Sequence, residues 1–524
     1  MHHTLEIEEI LLNIFGYISG PPGYTARSWS THLAALVKTC RTFKESALDV
    51  LWEELDDLSP LARCLPAACY QLRADTVSCL RVFVTGNEYY HCYKQSYGFS
   101  SPLTDVEWDI LRNYTRRIRS IQDSGGLDQK SIQIFSKPPT SEPLFRNLRH
   151  LHCTYGNKTI PLLLLPFPSL ISLKVDINGL PLFHGFVERF IQFSPSFRIL
   201  FVSTCDIGDI ESMTVGATVH LPRLPALTRL RLELAIPSDQ FDSPQSPLFF
   251  PNLHDLTLDS FCLESLTDLL TGIQLHEITN FSVDTRDGCS GEMISSFWDS
   301  VHTSGIGRTV KRLSFYQDGM LCEIRSEPNR PVLGLEDLRP CMAFSHLRHL
   351  QLDINWSVGL TDSDLLTLTS AWPHLTHLVI NDYWGWSTPG GITPNGLAQL
   401  LWACPLLHTV ALAIDTRGFT ELPLSLTDVG STLGPRFLHI NVFCSVIEAV
   451  SVPAVVGFFA GFGARALVAF KVWRFEDADA ALLEVYKVRW SYVNSQVKGV
   501  LDFILGMYAH FHCLMLGGCC APLH

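Results

Sequence analysis

Apolar residues recur along this chain with two different spacings, and the first dominates the N-terminus. Leu11, Ile14, Phe15 and Ile18 lie three and four positions apart, which is the spacing of one helical face. Two more series with helical spacing follow at Leu33, Leu36, Val37, Cys40 and Phe43, and at Ala47, Leu48, Leu51, Trp52 and Leu55. The pattern predicts three short helices within residues 1–66. A module of about 60 residues has a small core, so we expect it to bury apolar surface on a partner or on the rest of the chain.

The second spacing begins near residue 145, where the unit apolar-x-x-apolar-x-apolar recurs. Its copies start at Leu148, Leu170, Phe197, Leu227, Leu253, Ile278, Val310, Leu347, Leu375, Leu407, Phe437 and Leu467. The interval between starts ranges from 22 residues (148 to 170) to 37 residues (310 to 347). This irregular repeat resembles the leucine-rich repeat. It predicts a strand on the inner wall of each unit and a helix or loop on the outer wall.

The residues between the apolar positions test this prediction independently. The third and fifth residues of each unit should project from the concave face of such a sheet. These residues are His150, His152, Ser172, Lys174, Ile199, Phe201, Arg229, Arg231, Asp255, Thr257, Asn280, Ser282, Arg312, Ser314, His349, Gln351, His377, Val379, Thr409, Ala411, His439, Asn441, Ala469 and Lys471. Nineteen of the 24 are polar in a chain that is 47% hydrophobic, which favours strands that are buried on one side and exposed on the other.

Capping signals predict helices in the connections. Thr104 followed by Glu107 is a capping box, and Thr361 precedes an acidic first turn and an apolar series. Residues 394–402 and 478–505 also have helical patterns, and the second segment would cover the open end of the repeats. Residues 454–470 are nearly all apolar, but glycines interrupt them, so we expect a repeat rather than a membrane span.

The N-terminal module resembles an F-box, and it is most similar to the F-box proteins expanded in mushroom-forming fungi. The resemblance lies in three ordered blocks, which are Leu5-x-Ile7-x-Glu9-Ile10-Leu11-x-x-Ile14-Phe15-x-x-Ile18, Leu36-Val37-x-Thr39-Cys40-Arg41-x-Phe43 and Ala47-Leu48-Asp49-Val50-Leu51-Trp52. Two features depart from the family: Glu8 replaces the usual proline, and residues 24–31 form an extended first loop. The resemblance covers about 60 residues of the chain.

The resemblance implies that this module binds the Skp-type adaptor of a cullin-RING ubiquitin ligase. The residues it implies for adaptor binding are Leu5, Ile7, Ile10, Leu11, Ile14, Phe15, Leu36, Leu51 and Trp52. Some of them must instead form the core of the module, and the sequence does not separate the two groups. The alternative is an interaction scaffold outside any ligase, in which the module is only a structural cap.

Composition and missing motifs argue against several classes of function. The net charge of −13 argues against nucleic-acid binding, and the sixteen cysteines contain no Cys-x-x-Cys pair. We therefore expect reduced thiols, no metal site and no cofactor. No secretory leader opens the chain, so we expect a cytoplasmic or nuclear location. The phosphate-binding, zinc-protease and serine-hydrolase motifs are absent, so we expect a binding protein rather than an enzyme.

The predicted concave face is more basic than the chain as a whole. It carries Lys174, Arg229, Arg231, Arg312 and Lys471, against one acid, Asp255. Its histidines (His150, His152, His349, His377 and His439) would add charge at mildly low pH. Our hypothesis is that this face binds an acidic or phosphorylated segment of a protein substrate, with Arg229 and Arg231 as the best candidates. The alternative is a solvated face balanced by acids on nearby loops.

An aromatic segment directly after one predicted strand is a further candidate. Tyr383, Trp384 and Trp386 follow the strand at 378–380, and exposed aromatic side chains are common binding anchors. The alternative is a rigid loop that packs on its neighbour.

We therefore predict an α/β protein in which a three-helix F-box precedes an irregular leucine-rich-repeat solenoid with parallel inner strands. The predicted divisions are residues 1–66 for the F-box and 67–144 for a connector with the first helical elements. Residues 145–475 would form the repeats, and 476–524 a helical cap and tail. The expected function is substrate recruitment to the ligase.

Overall fold

A computed structural model describes most of the chain. The described residues are 7–18, 27–79, 90–122, 126–153, 160–163, 165–177, 183–204, 221–234, 248–286, 288–317, 331–382, 386, 391–421, 438–443, 445–461, 466–469 and 484–499. The chain divides into two compact units, Met1–His254 and Asp255–His524, which we describe in turn.

The first unit begins with three helices, as the apolar spacing predicts. They are α1 (Glu8–Ile18), α2 (Arg27–Thr39) and α3 (Arg41–Glu53). Their shared core consists of Leu11, Phe15, Leu33, Ala47 and Val50. Because α2 begins at Arg27, part of the segment predicted to be an extended loop is helical.

This three-helix module continues directly into a parallel sheet. Strand β1 (Glu54–Leu55) follows α3 without a linker and pairs with β4 (Ser120–Ile121), which in turn pairs with β5 (His150–Cys153). The sheet of the first unit continues through β6 (Ser172–Ile177), β7 (Ile199–Thr204) and β8 (Arg229–Leu234). The module is therefore joined directly to the first edge of the sheet and is not a separate domain connected by a flexible linker.

The connector between the module and the repeats contains an antiparallel hairpin that we did not predict from the sequence. It comprises β2 (Tyr70–Cys79) and β3 (Tyr90–Phe99). The predicted helix follows as α5 (Asp105–Thr115), and Thr104 and Glu107 form its capping box. The remaining elements of this unit are helices α4 (Ser59–Arg63), α6 (Gln129–Phe135), α7 (Ile160–Leu163) and α8 (Phe183–Phe193), and strand β9 (Leu248–Phe250).

The second unit contains eight parallel strands in chain order among its described residues. They are β10 (Asp255–Ser260), β12 (Asn280–Thr285), β13 (Arg312–Gln317), β15 (His349–Asp353), β17 (His377–Ile380), β18 (Thr409–Ala411), β19 (Leu438–Asn441) and β20 (Ala466–Ala469). Strands β14 (Val332–Leu333) and β16 (Ser357–Val358) form a two-stranded parallel pair outside this sheet, and β11 (Ile273–Leu275) also lies outside it.

The register confirms the predicted repeat. The third residues of successive units are direct partners: Asp255 pairs with Asn280, and His349 pairs with both Arg312 and His377. Along these strands the third and fifth residues are exposed or half-buried, while the apolar fourth and sixth residues are buried. One strand per repeat in a parallel sheet, with helices or turns between, is an α/β fold of the leucine-rich-repeat type.

The last predicted unit is displaced by two residues. His439 pairs with Leu467 and Asn441 pairs with Ala469, so Leu467 occupies the third position that we assigned to Ala469. The error arose because residues 454–470 are almost uniformly apolar, and the pattern there does not fix the register. Lys471, predicted to be the fifth residue, lies outside the described residues.

Helices and turns cover the other face of the second sheet. The helices are α9 (Leu263–Thr271), α10 (Gly291–Thr303), α11 (Leu335–Leu338), α12 (Asp362–Ala371), α13 (Pro394–Ala403) and α14 (Val452–Ala460). Thr361 caps α12 as predicted. The segment 484–499 is helical, and its Trp490, Val493 and Val497 are buried, as expected of a terminal cap. Among the described helices, none has the length and apolar character needed to cross a membrane.

Candidate partner-binding surfaces

Helix α1 carries apolar side chains on two faces, and only one face is buried within the module. Ile7, Ile14, Tyr17 and Ile18 are exposed, with 45%, 41%, 89% and 37% of their surface accessible. Their spacing of seven, three and one residues places them on adjoining positions of the helix surface. We call these four residues the α1 outer face.

The structure separates the residues predicted to bind an adaptor into two groups. Leu11 and Phe15 are buried in the core of the module, and Phe15 packs edge-on against Phe43 at 5.8 Å. Trp52 is also buried, and its ring lies 4.5 Å from that of Tyr114 on α5. Ile10, Leu36 and Leu51 are half-buried, and Leu5 lies outside the described residues. Among the described residues of the predicted set, Ile7 and Ile14 are exposed, and both lie on the α1 outer face. Tyr17 and Ile18, which complete this face, were not in the predicted set.

A buried arginine fixes the module against α5. Arg117 is 7% exposed, and its guanidinium forms ion pairs with Glu45 and Asp49, both on α3. The hydrogen bond from Arg117 holds the pKa of Glu45 below its usual range. Arg119 forms a second, solvent-exposed pair with Glu53 at 3.0 Å. The orientation of the helices relative to the first sheet is thus set by side-chain pairs as well as by β1.

In the first unit, the basic residues predicted to bind substrate lie on the exposed face of the sheet. Lys174, Arg229 and Arg231 are all exposed, and each already has an interaction partner within the chain. Between them on β7 are the half-buried Ile199 and Phe201.

In the second unit, four neighbouring strands begin with a row of polar side chains. Arg312, His349, His377 and Thr409 are consecutive partners in register, and we call them the strand-start row. Arg312 is exposed, and the two histidines are half-buried. The imidazole rings are stacked, with centroids 4.1 Å apart and planes inclined by 24°.

The two stacked histidines have pKa values below that of an ordinary imidazole, contrary to the expectation from sequence that they would add charge at mildly low pH. Burial lowers the pKa of His349 to about 4, and the neighbouring positive charges of His377, Arg312 and Arg348 add to the effect. Burial also lowers the pKa of His377, with contributions from His408 and Arg312. Composition alone could not reveal this, because the shift arises first from burial and then from the positive groups that the fold brings close.

The opposite ends of the same strands are acidic. Asp284, Tyr316 and Asp353 are consecutive partners in register, four residues along from the strand-start row. Burial raises the pKa of Tyr316, and the charges of Asp353, Asp284 and Asp382 raise it further. The strands that begin with Arg312 and His349 thus carry positive or neutral side chains at their start, while the half-buried Asp284 and the buried Asp353 lie near the ends of β12 and β15.

The predicted aromatic anchor is only partly described. Trp386 is 4% exposed and its indole N–H donates to the carbonyl oxygen of Ile380 at 2.9 Å. That geometry agrees with the packed-loop alternative for this residue. Tyr383 and Trp384 lie outside the described residues.

The described side chains offer little nucleophilic or metal-binding chemistry. Burial raises the pKa of Cys64 to about 12 and also raises that of Cys341. The hydrogen bond from its thiol to Glu107 raises the pKa of Cys69. Within the described ranges, no three residues of metal-ligating type are grouped closely enough to hold an ion.

Comparisons with known proteins identify no family. No family model matches the chain, and no curated protein matches it. Among solved structures, the chain is similar to the yeast Rad7 and Elc1 complex, with 14% identity over 55% of this chain and 70% of that one, at a TM-score of 0.31. It is also similar to the leucine-rich-repeat protein LegL7 of Legionella pneumophila, with 13% identity over 63% and 91%, at a TM-score of 0.26. These scores are low, so the fold assignment rests on the strand order and register described above.

Proposed function

We propose that this chain is a substrate-recruiting subunit of a cullin-RING ubiquitin ligase. The α1 outer face would bind the Skp-type adaptor, and the exposed face of the parallel sheet would bind a protein substrate. The chain itself would perform no chemistry, because bringing the substrate close to a ubiquitin-charged partner supplies the rate gain. A cytoplasmic or nuclear location is part of this proposal.

The α1 outer face is the observation that carries the proposal. A helix in a small module normally turns its apolar side chains inward, and α1 does so with Leu11 and Phe15. Ile7, Ile14 and Ile18 are additional apolar side chains that the module does not cover. An exposed apolar strip on a protein surface marks an interaction site. Ile7 and Ile14 within this strip are among the residues that the F-box resemblance assigns to adaptor binding.

The proposal is tested by co-expression with a Skp-type adaptor followed by size-exclusion chromatography. The native chain should co-elute with the adaptor, and the double variant Ile7→Asp, Ile14→Asp should elute alone while remaining folded. Val106→Asp is the matched control, because Val106 is 70% exposed on α5, far from α1 in sequence. This control should co-elute like the native chain.

The second candidate is an interaction scaffold in which the three helices only cap the sheet. The direct continuation of α3 into β1 and the pairing of β1 with β4 favour it, since such a cap protects the first edge of the sheet. A native chain that is folded but never co-elutes with the adaptor would support this candidate.

A further inference from the structure

The strand-start row of the second unit has the geometry of a small preformed site. Neighbouring parallel strands lie about 4.8 Å apart, so Arg312, His349 and His377 span roughly 10 Å across three strands. The two imidazole rings are stacked face to face, with their centroids 4.1 Å apart. The hydroxyl of Thr376 lies 2.9 Å from Nδ1 of His377 and so restrains this second ring. Ring nitrogens held in this way lose little rotamer freedom when a ligand binds.

The charged groups around this row are all of one sign. Arg312 forms no ion pair with any residue that the structure describes. Among the described charged groups, those that act on His349 or His377 are Arg312, Arg348, His408 and the two histidines themselves. No described carboxylate balances them. An anionic group placed at the row would therefore meet a positive guanidinium and two donor-capable rings.

The acidic end of the same strands gives the site a direction. Asp284 and Asp353 lie four residues along the strands from Asn280 and His349, which is about 13 Å in extended chain. An anion is attracted to the start of these strands by Arg312, and the half-buried Asp284 disfavours it near their end. This difference favours an acidic group at the start of the strands.

We propose that Arg312, His349 and His377 form a binding site for a carboxylate or phosphate group on a protein substrate. Arg312 supplies the fixed positive charge and a fork of N–H donors. His349 supplies a further N–H group toward the same anion. His377 supplies one only when it takes up a proton, because its Nδ1–H already donates to Thr376, whose hydroxyl donates to the carbonyl oxygen of Arg348. The inference rests on the proposed role of the sheet as the substrate-binding surface, and it moves the anion site from Arg229 and Arg231 to the second unit.

Binding at this site is coupled to proton uptake. An anion in contact with His349 offsets the burial and the positive neighbours that keep its imidazole neutral, so the protonated form becomes stable in the complex. If the anion restores the pKa of one imidazole to its ordinary 6.5, linkage gives (1 + 10^0.5)/(1 + 10^−1), or about fourfold tighter binding at pH 6.0 than at pH 7.5. The free histidine contributes nothing in this range because it is already neutral.

A fluorescein-labelled peptide of ten glutamates is the probe for the full-length chain. Its carboxylates are ionised at both pH values, so the ratio of its dissociation constants reports titration of the protein. Fluorescence polarisation should show about fourfold tighter binding at pH 6.0. A second probe pair, one phosphoserine peptide and its serine counterpart at pH 7.5, identifies which anion is preferred. The net charge of −13 makes non-specific binding of these acidic probes unfavourable.

Variants locate the site. Arg312→Gln should weaken binding of the glutamate peptide about tenfold, the usual range for one charge-assisted contact. His349→Asn with His377→Asn should abolish the pH dependence. Two controls should behave like the native chain: His439→Asn, on the exposed face of β19, and Arg229→Gln with Arg231→Gln in the first unit. Circular dichroism would verify that each variant is folded.

Three results would overturn the inference: no binding of either anionic probe, binding that Arg312→Gln leaves intact, or a pH dependence that survives the double histidine variant. Weaker binding of the glutamate peptide by the Arg229→Gln, Arg231→Gln variant, with Arg312→Gln binding like the native chain, would also reject it. None of these variants touches α1, so co-elution with the adaptor remains a separate readout. A native chain that binds neither peptide but still co-elutes with the adaptor would reject this site and leave the proposed function standing.

Discussion

At the scale of single residues, Arg117 is the side chain on which the position of the N-terminal helices most depends. It is nearly buried and bonded to two carboxylates on α3. Because Glu45 and Asp49 are themselves 59% and 38% exposed, its loss leaves no fully buried charge unpaired. We expect Arg117→Ala to lower the free energy of unfolding by about 2 kcal/mol, measured by urea denaturation.

Arg119→Ala is the control for this prediction. The side chains of Arg119 and Glu53 are 53% and 41% exposed. Loss of their ion pair should therefore lower the free energy of unfolding by less than about 1 kcal/mol. Equal losses for the two variants would mean that burial of Arg117 contributes nothing to the attachment of the helices.

The same pair predicts a dependence of stability on pH. The hydrogen bond from Arg117 lowers the pKa of Glu45 from 4.5 in the folded chain. The stabilisation is therefore complete above about pH 4.5 and is lost as the pH falls through the lower folded value. The difference in unfolding free energy between the native chain and Arg117→Ala should shrink on acidification from about pH 6 to pH 3. A difference that stays constant across this range would contradict the assignment.

The burial of individual residues on α1 could not be predicted from the sequence. Ile14 and Phe15 are adjacent apolar residues, yet Ile14 is exposed and Phe15 is in the core. Both lie on the wide apolar arc of α1, so helical spacing alone could not separate the residues of the core from those of the outer face. The stacking of His349 on His377 was equally invisible, because it depends on the register between two strands 28 residues apart in the chain.

At the scale of elements, α12 and α13 are joined by a carboxylate that leaves no room for a side chain. Asp362 accepts hydrogen bonds from the backbone N–H of Thr393 at 2.7 Å and from its hydroxyl at 2.6 Å. A Cβ atom on Gly396 would overlap the Asp362 carboxylate. Gly396→Ala should therefore break both hydrogen bonds and lower the unfolding free energy by about 1–3 kcal/mol.

Gly457→Ala is the matched control for this prediction. Gly457 lies inside α14, and an added Cβ would meet nothing within 4 Å. There the gain in helix propensity should stabilise the chain by up to about 1 kcal/mol. Thermal denaturation of the two variants should thus give shifts of opposite sign, and a neutral Gly396→Ala would show that Asp362 moves away without cost.

Most elements of the repeat array could be predicted because two local signals agreed. Apolar residues at the first, fourth and sixth positions marked each strand, and capping residues such as Thr361 marked the following helix. The hairpin of β2 and β3 was missed although its sequence carries signals for it. Tyr70, Leu72 and Ala74 alternate with polar residues, and Gly86-Asn87 is a turn dipeptide between the two strands in sequence. The displaced unit at Leu467 has a different cause, since a uniformly apolar stretch carries no information about register.

At the scale of the whole molecule, the proposed adaptor and the proposed substrate bind different surfaces, which are the α1 outer face and the strand-start row. The α1 outer face belongs to a module that β1 and Arg117 attach firmly to the first sheet. The strand-start row belongs to the second unit and faces solvent with positive charge. A protein that recruits a substrate needs both a fixed attachment point and a selective surface. Neither surface requires a catalytic side chain, which fits a subunit that acts by proximity.

Isothermal titration calorimetry with a purified Skp-type adaptor measures whether the α1 outer face binds that adaptor. The native chain and Val106→Asp should bind one adaptor each with equal affinity. Placing two carboxylates at Ile7 and Ile14 should weaken binding by about 3 kcal/mol or more, which is over a hundredfold in the dissociation constant. A folded native chain that releases no heat, or a double variant that binds as tightly as the native chain, would contradict the account.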